Sequence, residues 1–150
     1  MEVKKMLTIC SRIAVPYDDS ELSKKALEAA IVLAKQDERI ELDVITVVTI
    51  PTKVVYYGVY SDNRVREAHF NTAKEILEPV KERLAELPNK TRTLVLEGNP
   101  AYMIVDFVKR TNSDLVVMGS RGLSDLKELF LGSVSHYVVQ KSTCPVYIVK

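Results

Sequence analysis

Leu115-Val116-Val117-Met118-Gly119-Ser120-Arg121-Gly122 runs four apolar residues together and then breaks on two glycines. A strand with one wet face alternates apolar and polar residues. An unbroken apolar run of strand length fits a strand covered on both faces. Helices cover both faces when strands and helices alternate along the chain, and that alternation extends outward from Leu115. Upstream, Arg12 to Val15 is a short apolar run ending at Pro16. Leu22, Ala26, Ala29, Ala30 and Leu33 then recur at helical spacing, with Ser20 or Asp19 placed to cap the helix. Leu42 to Ile50 is rich in Val, Ile and Thr and stops at Pro51, which reads as a strand. A second helical stripe follows at Val65, Ala68, Thr72, Ile76, Val80 and Leu84, with Pro79 as an expected kink. Thr91 to Leu96 is a third strand, closed by Gly98. Asn99 with Pro100 behind it is a strong helix start, and the expected buried stripe is Ala101, Ile104, Val105 and Val108. Downstream, Ser133 to Gln140 reads as a helix and Val146 to Val149 as a last strand. The order is βαβαβαβαβ, which predicts an α/β, doubly wound, Rossmann-like parallel sheet of five strands.

The 150 residues predict one domain across 1–150; apolar residues make up 47% and charged residues 27%, enough to build a buried core. Lys plus Arg is 21 and Asp plus Glu is 20, for a net charge of +1. That balance argues against a nucleic-acid partner. No apolar run reaches the length of a membrane helix, and Met1 to Cys10 is too short and too charged for a signal peptide. Cys10 and Cys144 lie far apart with no Cys-x-x-Cys, so the expected location is a reducing cytoplasm. Thr52 to Asp62, with Tyr56, Tyr57, Gly58 and Tyr60, is too long for a tight connection and reads as a surface loop packing its own tyrosines.

Chemistry gathers behind the fourth strand. Gly119, Gly122, Gly132 and Ser133 form Gly-x2-Gly-x9-Gly-Ser, which uses three of the five glycines in the chain. By composition alone such a match arises on the order of once in a thousand chains, so it is treated as a motif. Glycines let backbone approach a ligand closely or take positive φ. Gly132 and Ser133 fall at the start of the last helix, where free amides and the helix dipole favour phosphate oxygens. His69 and His136 stand on separate helices, which argues against a metal site or a histidine-based nucleophile. Neither Gly-x4-Gly-Lys-Ser/Thr nor Gly-x-Gly-x-x-Gly occurs.

Four segments together resemble the universal stress protein family over nearly the whole chain. They are Ile13 to Ser20, Asp114 to Gly122, Gly132-Ser133-Val134, and Cys144 to Val149. The resemblance implies strand order 3-2-1-4-5 and, with the glycine motif complete, the ATP-binding subclass. In that order the sheet reverses between the first and fourth strands, and ligands bind beyond the strand ends at such a switch point. By resemblance, Pro16 and Asp18 line the nucleotide site and Val47 packs near the adenine. Met118 ends the fourth strand there. Gly119 and Gly122 wrap the ribose and phosphates, with Arg121 between them, and Gly132, Ser133 and Val134 hold the phosphates. Asp18 could help place Mg²⁺ or Mn²⁺ beside those phosphates, or act as a turn or capping residue. The family pattern has glycine where this chain has Asp19, and a second carboxylate near a triphosphate is repulsive unless it faces solvent or metal. The expected function is ATP binding as a regulatory ligand in stress response, without catalytic residues. A nucleotide-free interaction protein and a slow ATPase are the alternatives. Expected partners are a second copy paired through Val146 to Val149 and a signalling protein of unknown identity.

Overall fold

The computed structural model describes residues 10–50, 63–123 and 131–150. Within them the chain runs β1 (Arg12–Pro16), α1 (Glu21–Ala34), β2 (Glu41–Val48), α2 (Asn63–Ala85), β3 (Thr91–Glu97), α3 (Pro100–Thr111), β4 (Leu115–Gly119), α4 (Ser133–Lys141) and β5 (Val146–Val149). The five strands form one sheet in the order β3-β2-β1-β4-β5, and every pairing is parallel. β1 therefore lies between β2 and β4, and the chain reverses its direction of travel across the sheet there. The Thr52 to Asp62 loop expectation lies outside the described residues.

Alternate residues of each strand feed two cores. Ile13, Val15, Leu42, Val44 and Val117 pack with α1 and α2 on one face. Ala14, Ile45, Val116 and Met118 pack with α3 and α4 on the other. This two-sided burial is why β4 carries no polar alternation. Asp43 is the charged exception inside β2: it is 2% exposed, and Arg92 Nε and Nη2 on β3 donate to its two oxygens at 2.8 Å each. Among the described residues no helix is long and apolar enough to cross a membrane.

The helix starts follow their capping residues. Ser20 Oγ accepts the Ser23 amide at 3.2 Å, so Ser20 rather than Asp19 caps α1. Asn99 Oδ1 accepts the Tyr102 amide at 3.1 Å, with Pro100 in the first position of α3. Asn112 ends α3 in the left-handed conformation, φ 53°. α2 runs as one helix through Pro79.

The helix faces are less well anticipated. In α1 the buried residues are Ser23, Ala26, Leu27, Ala30, Ile31 and Ala34, while the expected Leu22, Ala29 and Leu33 are only half-buried. The segment Ala26 to Ala34 is apolar almost all round, so spacing alone cannot choose its face. In α2 the expected stripe holds at Val80 and Leu84. It moves one residue on to Ala73 and Leu77, leaving Ala68 and Thr72 exposed. In α3 Phe107 joins the predicted Ile104, Val105 and Val108.

Candidate functional site

The carboxyl ends of β1 and β4 flank the switch point, and a cavity of about 230 Å³ opens there. Pro16, Asp18, Val47, Met118, Gly119, Arg121, Gly122, Ser133 and Val134 all line it. Nine of the residues expected from sequence thus meet on one wall system, although they come from four separate segments. Ile45, Val47, Ile104 and Met118 supply an apolar side, and Asp18, Ser23, Arg121 and Ser133 a polar one. Tyr17, Ser23, Ile45, Pro100, Ile104, Leu123 and Ser135 line the cavity without having been expected. Ile45 had a signal, since it lies two residues before Val47 on the same strand face. Ser135 had none, because its position depends on where α4 lands.

Gly132 is the one expected residue that does not line the cavity. Its amide donates to the Ser120 carbonyl at 2.7 Å. Its φ of −68° and ψ of 166° are open to any residue. As the N-cap of α4, it accepts the His136 amide at 2.9 Å. Ser133, Val134 and Ser135 precede that first intrahelical bond, so their amides lie ahead of the helical ladder.

The two other motif glycines are explained by space rather than by φ. Among the described glycines only Gly98 takes positive φ, 145°. A Cβ on Gly119 would stand 2.8 Å from Leu22 Cβ and 3.0 Å from the Leu22 carbonyl carbon, so this glycine lets α1 pack onto the end of β4. A Cβ on Gly122 would stand 2.6 Å from Asp18 Oδ2. That oxygen accepts the Leu123 amide at 3.2 Å, and Asp18 Oδ1 accepts the Ser20 amide at 3.0 Å. Asp18 therefore ties the β1–α1 turn to the glycine loop across the cavity mouth.

Asp19 adopts φ 66°, the left-handed region that favours glycine. The conformation turns its carboxylate off the cavity. Tyr17 Oη donates to Asp19 Oδ1 at 3.2 Å, and Lys24 Nζ lies 3.7 Å from the same oxygen. Burial of the ring and the neighbouring Asp19 carboxylate push the Tyr17 hydroxyl up to about 12. The hydroxyl thus stays protonated and able to donate. Among the described residues no group of three His, Cys, Asp or Glu side chains stands where it could hold a metal ion.

A parallel doubly wound sheet, with a cavity at its switch point lined by Gly119, Gly122 and the start of a helix, defines a Rossmann-like fold. The universal stress protein family profile matches residues 10–150. The universal stress protein YxiE of Bacillus subtilis is 40% identical over 147 residues, covering 93% of this chain and 99% of that one. MJ0577 of Methanocaldococcus jannaschii superposes with a TM-score of 0.83 at 28% identity, covering 93% of this chain and 95% of that one. A family member from Arabidopsis thaliana with AMP bound superposes with a TM-score of 0.66 at 20% identity, covering 93% and 91%. The chain belongs to the universal stress protein family.

Proposed function

We propose that this protein binds an adenine nucleotide, ATP with Mg²⁺ or Mn²⁺, as a regulatory ligand in stress response. The observation that carries the reading is the cavity itself. Its apolar side, Ile45, Val47, Ile104 and Met118, faces an end of α4 whose first amides lie ahead of the helical ladder. A flat base suits the first and a phosphate the second. The AMP held by the Arabidopsis relative supports the same ligand class. Asp19 does not oppose it, because its carboxylate is engaged by Tyr17 and Lys24 and does not line the cavity.

Among the described residues, Asp18 is the only carboxylate that lines the cavity. A divalent cation would be carried mainly by phosphate oxygens, with Asp18 as its single protein anion; bound there, it would neutralise phosphate charge. Among the described lining residues Asp18 stands without a histidine or a second carboxylate beside it, and the reading takes the nucleotide as a ligand that is held, not hydrolysed. Calorimetry with ATP, AMP and GTP in the presence of Mg²⁺ tests the reading. Binding of ATP and AMP, weaker binding of GTP and no rapid phosphate release are the expected results. No heat with either adenine nucleotide would overturn it in favour of a nucleotide-free interaction protein.

The same reading includes a homodimer through β5. β5 is the last strand of the sheet, and its Tyr147 is 51% exposed. The Val116 amide donates to the Pro145 carbonyl and the Ser120 amide to the Val149 carbonyl, so those groups of β5 point inward to β4. By strand alternation, Val146 and Ile148 turn their backbone groups to the open edge, which an antiparallel second copy would satisfy. Ile148 packs into the core, so its replacement would damage the fold. Tyr147→Lys is the cleaner probe. Light scattering is expected to give a dimer for the wild type and a monomer for the variant; a monomeric wild type or a dimeric variant would refute the pairing.

A further inference from the structure

We propose that Ser135 is a positioning residue that sets the spacing between the glycine loop and the first turn of α4; its consequence for ligands rests on the nucleotide reading above. Ser135 is 3% exposed and lines the cavity, yet its hydroxyl is committed to protein. Ser135 Oγ donates to the Ser120 carbonyl at 2.6 Å and lies 3.2 Å from the Gly132 carbonyl. A hydroxyl has one hydrogen, and the shorter contact takes it. The Ser120 carbonyl also accepts the Gly132 amide at 2.7 Å, and the Ser120 amide donates to the Val149 carbonyl at 2.9 Å. Residue 120 is thereby held between the end of β5 and the start of α4.

The clasp joins residue 120, just beyond β4, to Gly132 and Ser135 in the first turn of α4. A single bond from Gly132 would let the first turn of α4 pivot about the Ser120 carbonyl. A second bond, from a residue three positions along the helix, removes the pivot. The clasp thus fixes Ser133 and Val134 relative to Gly119 and Gly122 on the opposite arm. Ile45, Val47 and Ile104, on the apolar side, take no part in it. Losing the hydroxyl should therefore act on the phosphate end of a ligand and spare the base end.

Ser135→Ala tests this with two ligands and one ligand-free measurement. By calorimetry, AMP is expected to bind about three- to tenfold more weakly, the range for losing one hydrogen bond, while adenosine stays within about twofold. In the ligand-free protein, amide exchange at Gly132 is expected to accelerate while the Val116 and Val117 amides keep their protection. Equal losses for AMP and adenosine, or none for AMP, would overturn the proposal. If the wild type binds neither ligand, the nucleotide reading fails. Exchange then decides the clasp by itself: faster exchange at Gly132 upholds it and unchanged exchange refutes it.

Discussion

Gly119→Ala is expected to destabilise the protein by about 3 kcal/mol, and to weaken nucleotide binding only through that loss of fold. The new Cβ meets Leu22 Cβ at 2.8 Å and the Leu22 carbonyl carbon at 3.0 Å. The second contact is backbone, so no rotamer change relieves it and the start of α1 has to move off β4. α1 is fastened there by the Ser20 cap and by Ala26, Ala30 and Ile31, which are buried to within 1% of full cover. The close packing of that core spreads the displacement instead of absorbing it locally. Chemical denaturation measures the change, and an unaltered midpoint would show that α1 yields more easily than this packing implies.

Gly122→Ala should do the opposite. Its Cβ meets Asp18 Oδ2 at 2.6 Å, a side-chain end that can swing away. The residue is exposed and its φ lies outside the left-handed region, so the backbone accepts alanine without strain. Stability is expected to fall by less than about 1 kcal/mol. Adenine-nucleotide affinity is expected to fall at least about tenfold, because the displaced Asp18 carboxylate gives up the Leu123 amide and frees the cavity mouth. Denaturation and calorimetry on the same sample separate the two effects. A variant that loses stability but keeps its affinity would place Gly122 with Gly119, as a packing glycine.

The contrast shows how far a motif can be read from sequence. Gly119, Gly122 and Ser133 of the motif line the cavity, because β4 ends at Gly119 and the Gly132 amide, bonded to the Ser120 carbonyl, brings the start of α4 back beside it. The spacing could not say what each glycine is for. A ligand-approach role was expected for Gly119; it lines the cavity, and the space a Cβ would need is taken by Leu22 on α1. Gly132 was expected to meet phosphate, but its amide is taken by Ser120. Asp19 was a second carboxylate that would repel a triphosphate unless it faced solvent or metal. Its left-handed backbone and the partners Tyr17 and Lys24 turn it elsewhere.

The sequence by itself determined the alternation of strands and helices, the buried character of Val116 to Met118, the helix start at Asn99, and a helix start at Asp19 or Ser20. These depend on residues within one turn or one pleat of each other, where the periodicity of the backbone and the reach of a side chain are fixed. Only the tertiary structure decided which face of α1 is buried and which amides of the motif are already bonded. It also decided that Ser135 closes on Ser120. Each of these turns on an atom brought from a distant part of the chain: Leu22 onto Gly119, Asp18 onto Leu123, Ser120 between Val149 and α4. Such contacts form only when the sheet places β1, β4 and β5 side by side, and no local spacing encodes them.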